Sequence, residues 1–464
     1  MPAKWFSFAG LALAASLLTQ PARADGPVPG GIYGAESFML ANGMTVVVIP
    51  NHRAPVVSHM VWYKIGAADE VEGKSGLAHF LEHLLFKGTP RFPAGELTAL
   101  VARNGGDQNA FTSFDYTAYY ENIAVDRLPL MMDMEADRMH NLKLDKPGVL
   151  TERDVIIEER RMRVDNVPGA LLGERLSSVL WMNNHHSIPV IGWESEMRTL
   201  TDEDALAFYK KYYQPHNAIV VISGDVTTEQ IKPLAEKYYG VLPKAGEPAK
   251  RARPTFLPRR ADVRVSMTHE RVRQPQWRRE YIAPSFNVGD RAEVPALQVF
   301  AELFGGGSTA KLYRSLVVDQ QLAAGASADY SPDAISYGSF SFSLTPNPGI
   351  ALPQLETAFE KLLGETLTSG ISDADVERAK NRMLASLAYA KESPMGAASA
   401  VGSMLSIGLT LQEIETWPNE IKKVTPDQVR AAARKLVTTY SSGTGILLPE
   451  PRPQAAAQAQ GAAK

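Results

Sequence analysis

What most limits the fold of this chain is that its pattern runs twice. Leu200-Thr201-Asp202-Glu203-Asp204 leads through a helical stretch to an apolar strand at Ile219–Ser223. Val424-Thr425-Pro426-Asp427-Gln428 leads in the same way to Gly443–Leu448. Earlier in each half, Leu85-Phe86-Lys87-Gly88 matches Leu303-Phe304-Gly305-Gly306. A pattern repeated in this way favours two similar α+β domains over one large sheet. Between them, residues 244–262 lose apolar periodicity and gather Pro248, Arg251, Arg253, Pro254, Pro258, Arg259 and Arg260. That stretch reads as an exposed, solvated linker, with a basic contact site as the alternative. The expected division is a first domain over 35–243, a linker over 244–262 and a second domain over 263–448.

The ends read differently. Lys4, the apolar run Trp5–Leu18 and the small-x-small step Ala22-Arg23-Ala24 make residues 1–24 a cleavable export signal, which places the mature chain in the periplasm or outside the cell. The apolar run is short for a membrane anchor, and no later segment has the long uncharged run of a transmembrane helix, so no stable membrane insertion is expected after cleavage. Residues 25–34, rich in Gly and Pro, lead into the fold, and 449–464 read as a disordered tail. The chain has no cysteine, which excludes disulfides, thiol catalysis and thiolate metal sites. Its net charge of -3 argues against a nucleic-acid partner.

Local signals supply the first domain's elements. Asn42-Gly43 is a turn between Glu36–Leu40 and Met44–Pro50, which predicts a hairpin. Val56–Ile65 reads as a strand and Gly76–Phe86 as a helix. Leu130–Asn141, a segment from Leu150 onward and Asp202–Tyr212 have helical patterning, and Ala218–Ser223 is a strand.

The helix over 76–86 carries His79-Phe80-Leu81-Glu82-His83. Positions i, i+3 and i+4 share one helical face, so both imidazoles can aim at one ion with Glu82 beside them. A catalytic zinc uses three protein ligands and an open position, and a nearby carboxylate deprotonates the water. Glu82 fits that base role. The alternative is a pair of histidines packed or exposed on an amphipathic helix, and a third ligand decides between the two.

The candidate is Glu159. With Thr151 as N-cap and Leu150 stapled to Val155, the residues Glu152, Val155, Ile156, Glu159 and Met162 form one stripe, and Glu158 lies on the solvent face. A carboxylate on an apolar stripe needs a partner; a metal is one and an arginine is the alternative. Glu152, two turns earlier on that stripe, can hydrogen-bond a ligand from behind, or else complement the helix dipole from the first turn. One zinc ion per chain is the expected cofactor.

His79-Phe80-Leu81-Glu82-His83-Leu84-Leu85-Phe86-Lys87-Gly88-Thr89 resembles the signature of the pitrilysin/insulinase zinc peptidases, in the half-length subgroup of the mitochondrial processing peptidase beta subunit and similar bacterial proteins. Glu152-Arg153-Asp154-Val155-Ile156 with Glu158-Glu159 resembles that family's second motif, whose later glutamate is the third zinc ligand. Phe208–Ala218, ending in Gly224-Asp225-Val226, also matches. The resemblance covers roughly 35–448. It implies two similar α/β domains, each an antiparallel-rich sheet covered by helices, together forming half of a clamshell. The implied activity is zinc-dependent hydrolysis of short or unfolded peptides, with precursor processing or a non-catalytic scaffold role as alternatives. On the same resemblance, Gly105–Ser113 is a substrate-edge strand, with Asn109, Ala110 and Phe111 as peptide-binding residues and a core strand as the alternative reading. One departure stands out. Family members carry an Arg and a Tyr in the second-half domain that steady the tetrahedral intermediate, and the matching positions here hold Val317 and Ala324. The implied remedy is a homodimer or a heterodimer with a related chain that supplies the pair.

Overall fold

The computed structural model describes residues 26–244, 246, 251, 253 and 261–451. The export-signal segment at 1–24 and the tail from 452 onward lie outside the described residues. Eleven strands form two sheets among them. β1 (Glu36–Met39), β2 (Thr45–Pro50), β3 (Val56–Tyr63), β4 (Asp107–Thr112), β5 (Thr117–Ala124) and β6 (Ala218–Gly224) make the first, in the order β1-β2-β6-β3-β5-β4. β7 (Asp262–His269), β8 (Gln276–Ala283), β9 (Ala323–Ser331), β10 (Gly338–Pro346) and β11 (Ser442–Pro449) make the second, in the order β7-β11-β8-β10-β9.

Apart from β1, which has no counterpart in the second sheet, the topology is duplicated. β2 runs parallel to β6 and β7 parallel to β11, and every other pair is antiparallel in both sheets. Helix Leu77–Leu84 lies in chain order between β3 and β4, and helix Glu293–Gly305 lies between β8 and β9. Helices Asp202–Tyr212 and Pro426–Thr439 each start with a capping box, Thr201 with Asp204 and Thr425 with Gln428, and each precedes the last strand of its sheet. The two-domain α+β fold expected from the repeat is what the chain forms, and the Asn42-Gly43 turn joins β1 to β2 as an antiparallel hairpin.

The strands explain their own composition. Val46 and Val48 point into the core made with the first half's own helices, while Val47 and Ile49 point into a second core on the opposite face. Both faces are buried, so the strand reads as a continuous apolar run rather than an alternation. The second core is filled from the other half: Ala397, Ala398 and Val401 of helix Pro394–Ser406 pack against Met60 and Trp62 of β3. The loan is returned by helix Pro168–Leu180. Its Leu172 joins Leu447 of β11, and Leu180 joins Ile282 of β8. Glycines set the close approach at both contacts. A Cβ at Gly443 would meet Leu176 Cδ1 at 2.8 Å, and one at Gly402 would overlap the Trp62 indole.

The stretch between the halves departs from expectation. Arg251 and Arg253 are not solvated: their guanidinium groups form ion pairs with the buried Asp69 and Asp115. Burial of matched opposite charges overrides the local polarity that suggests an exposed linker. At the other end, residues leading into the fold are tied to the second half, since Glu415 accepts the Tyr33 and Ala35 amides, each at 2.7 Å.

Because Trp62 is buried on every side, the indole cannot yield to a new side chain at Gly402. Gly402→Val is expected to destabilise the chain by about 1–3 kcal/mol or more through overpacking, read as a lowered midpoint in thermal or urea unfolding.

Candidate metal centre

Helix Leu77–Leu84 begins at Gly76, whose φ of 84° puts it in the left-handed region that favours glycine. Glu70 caps its first turn, accepting the Gly76 amide at 2.9 Å and the Ala78 amide at 2.7 Å. That start fixes the helical phase. His79 and His83 then stand on one face with ring centroids 4.7 Å apart, and Glu82 is buried beside them.

The second helix starts earlier than its sequence suggests. It spans Lys146–Arg160, with Asp145 as N-cap accepting the Gly148 amide, and continues as a π-helical turn over Arg161–Asp165. Thr151 is therefore inside the helix, its hydroxyl donating to the Pro147 carbonyl, and it is not the cap. Val155 and Met162 face solvent, as does Leu150, so the stripe read from the sequence is only half right. The buried face is Val149, Glu152, Ile156, Ile157 and Arg160, with Glu159 at its border and Glu158 exposed. Asp145 followed by Pro147 is a start signal that outweighs Thr151.

The structure brings His79, His83 and Glu159 together: one potential ligand atom from each lies within 4.8 Å of the others. Glu159 Oε2 is 3.4 Å from His79 Nε2 and 3.2 Å from His83 Nε2, and it is buried without a hydrogen bond. One carboxylate oxygen set against two imidazole nitrogens fits a shared cation, or a proton carried by His83. The other carboxylate oxygen, Oε1, is 2.8 Å from Arg163 Nη1, so Glu159 pairs with an arginine through one oxygen and faces both imidazoles with the other. Glu152 lies behind His83, with Oε1 2.8 Å from Nδ1, and its second oxygen pairs with Lys87. It occupies the second turn rather than the first, so a helix-dipole role does not apply.

The electrostatics separate the two histidines. Burial is the main cause that lowers His79 to about 4, with His83 adding to it. Burial also pulls His83 down, but Glu152 and Glu159 together reverse it and raise the ring to about 9. A proton and a metal thus compete for one site on His83. Burial raises Glu82 above the usual carboxylate range, against a 2.6 Å hydrogen bond that Thr112 Oγ1 donates to Oε2.

Thr112 ends β4, which among the described residues pairs only with β5 and forms the edge of the sheet. Asn109 and Ala110 lie on that strand, and the Ala110 amide is bonded by Asn109 Oδ1 at 2.9 Å. Phe111 turns its ring away into an aromatic cluster with Trp62 and Tyr116, which leaves only its backbone to a peptide. The sequence reading gave no role to Thr112, Lys87 or Arg163. Lys87 and Arg163 each stand four residues beyond a ligand, a spacing that could have flagged them. The Thr112 contact crosses 30 positions and has no local signal. On the sequence register that matches Leu85–Gly88 to Leu303–Gly306, His79, Glu82 and His83 correspond to Leu297, Phe300 and Ala301, and all three of these are buried apolar residues. Val317 packs partly buried on that half's core, and Ala324 is exposed on β9.

Comparison with known proteins gives a consistent picture. Residues 45–193 match the family described as "Insulinase (Peptidase family M16)", and 199–383 match "Peptidase M16 inactive domain". The chain is 32% identical over 347 residues to zinc protease PqqE of Helicobacter pylori, covering 74% of this chain and 77% of that one. The crystal structure of a protease from Helicobacter pylori superposes with a TM-score of 0.82 at 29% identity, covering 89% of this chain and 99% of that one. The periplasmic protease PqqL from Escherichia coli shares the fold, with a TM-score of 0.75 at 20% identity, covering 89% of this chain but 47% of that one.

The contact between Glu152 and His83 generates a direct test. Glu152→Gln is expected to weaken binding of a divalent cation by about 10–100-fold in chelator competition, as loss of a ligand's hydrogen-bond partner does elsewhere. Glu158→Gln, on the exposed face of the same helix, should leave the affinity unchanged.

Proposed function

Since the chain belongs to the insulinase family of peptidases, family M16, we propose that it is a zinc metalloendopeptidase acting on short or unfolded peptides. The observation that carries this reading is the convergence of His79, His83 and Glu159 with Glu82 held alongside by a strand whose outer edge is unpaired. His79, His83 and Glu159 would hold the ion, and zinc when bound supplies Lewis acidity toward a peptide carbonyl and acidifies water.

The chain's own residues supply the rest. Thr112 fixes Glu82 through Oε2, which leaves Oε1 to accept the proton of the attacking water. The raised proton affinity of Glu82 suits a group that takes a proton and then passes it to the leaving amine. An extended peptide can add to the free edge of β4 through main-chain hydrogen bonds, with Asn109 giving up the Ala110 amide to it. Such pairing reads backbone rather than side chains, which fits unfolded substrates.

Val317 and Ala324 offer no donor to a developing oxyanion. An identical copy would bring the same two residues, so a distinct related chain bearing an Arg and a Tyr is the partner that completes the site. The name of the Escherichia coli neighbour, and a length of which this chain covers about half, support a two-part periplasmic enzyme. Export through residues 1–24 belongs to the same proposal.

Two measurements test the reading. Glu82→Gln should keep one zinc per chain by metal analysis and lose cleavage of quenched fluorescent peptides. Adding a related chain that carries the Arg/Tyr pair should raise kcat by about 100-fold or more, the scale of a missing oxyanion donor. A wild-type chain that holds zinc yet cleaves nothing, with or without such a partner, would show a scaffold rather than a peptidase.

A further inference from the structure

Two described residues of the stretch between the halves, Arg251 and Arg253, meet the first half at a buried node. Arg251 donates from Nε to Asp69 Oδ1 at 3.1 Å and from Nη2 to Asp69 Oδ2 at 2.6 Å, and Nη2 also reaches the Asp115 carbonyl at 2.6 Å. Arg253 donates from Nη1 to Asp69 Oδ1 at 2.5 Å and to the Ala68 carbonyl at 3.2 Å, and from Nη2 to Asp115 Oδ1 at 2.7 Å. The second half closes the node. The Ile335 amide donates to Asp115 Oδ2 at 2.9 Å, and Arg251 Nη1 reaches the Ser406 carbonyl at 3.4 Å. The side chains of Asp69 and Asp115 are 6% and 3% exposed, so two buried carboxylates are matched by two guanidinium groups.

Each aspartate sits at the root of one arm of the metal centre. Asp69 is followed by Glu70, which caps the helix carrying His79, Glu82 and His83. Asp115 lies in the turn after β4, three residues past Thr112, whose hydroxyl holds Glu82. At the node the two arms touch backbone to backbone. The Ala67 amide donates to the Ser113 carbonyl at 3.0 Å and the Ala68 amide to the Phe114 carbonyl at 2.8 Å. A Cβ at Gly66 would collide with both carbonyls.

We infer that Arg251 and Arg253 are positioning residues for the reaction. Through Asp69 and Asp115 they lock the edge strand that receives the peptide in register with the helix that carries the base. The inference rests on the peptidase reading for its catalytic consequence. Arginine suits the task because its rigid fork serves several acceptors at once, where an ammonium would serve them loosely. Two of the three candidate ligands are braced elsewhere: Glu152, itself paired with Lys87, holds His83, and Arg163 holds Glu159. Loss of the node therefore separates strand from helix without loosening the ion's own ligands.

The test compares full-length zinc-loaded chain with the Arg251→Gln, Arg253→Gln double variant. It measures hydrogen exchange, zinc affinity by chelator competition, and binding of a labelled unfolded peptide with Glu82→Gln added to both proteins. Amides in 107–116 are expected to exchange at least about tenfold faster and peptide binding to weaken at least about tenfold, with zinc affinity unchanged. Unchanged exchange over 107–116, or a parallel loss of zinc affinity, overturns the inference. Removing both guanidinium groups strands two buried carboxylates, so Arg251→Lys with Arg253→Lys is measured beside it. That pair keeps the charge and loses the fork, and a smaller rise confined to the same amides is expected. Exchange that rises evenly over both sheets in the lysine variant marks a global stabilising role and overturns the inference. A peptide that fails to bind even the Glu82→Gln parent sinks the peptidase reading alone, because the exchange and zinc measurements still decide the role of the arginines.

Discussion

Three lone-pair atoms aimed at one another inside a protein are a liability unless a positive charge sits among them. His79, His83 and Glu159 make that arrangement. The surrounding structure accepts its cost in a particular way. Arg163 neutralises the outer oxygen of Glu159, and Lys87 does the same for Glu152, so the inner oxygen and the inner imidazole nitrogens stay directed at the common point. Neither cation lies among the three ligand atoms. A site built only for stability would place the arginine between the carboxylate and the rings, where it would satisfy all three.

Around this constraint the chain uses one topology twice and spends it differently. Both sheets have the same strand order apart from β1, and both insert a helix after the matching strand, β3 in the first and β8 in the second. In the first half that helix carries polar ligands against a sheet edge. In the second its counterparts Leu297, Phe300 and Ala301 are buried in the core. Apolar side chains at these positions make ordinary core packing. The reciprocal loan of helices Pro168–Leu180 and Pro394–Ser406 joins the halves directly, because neither sheet is covered on both faces by its own half.

How much of this can be read before folding depends on the distance over which each signal acts. The two histidines and Glu82 are legible because one helical turn holds all three. Glu159 is legible from its burial pattern even though the pattern misplaces Val155 and Met162, since the error in phase is about half a face and the glutamate sits near the boundary. The mistaken cap at Thr151 came from weighting one hydroxyl above the Asp145-Lys146-Pro147 start, which is equally local. Arg251 and Arg253 are different in kind. Their partners lie 182 and 138 positions away, and in sequence they are indistinguishable from solvated basic residues. The Thr112 contact with Glu82 fails for the same reason, while β4 itself is visible as a strand.

The distribution of parts across the chain argues about how such a centre can be completed. His79, Glu82, His83 and Glu159 come from two helices of one half, and their side-chain partners Glu152, Lys87, Arg163 and Thr112 come from that same half, so this portion is self-contained. At the positions that the family resemblance matches to the oxyanion donors, the second half presents Val317 and Ala324. A duplicated scaffold makes such a division easy to sustain, because any related chain offers the same positions on the same framework. Where a related chain supplies those donors, this chain alone does not combine a bound cation with them. On the proposed reading, hydrolysis is then tied to assembly, and a lone exported chain is kept from cutting unfolded polypeptides before its partner arrives.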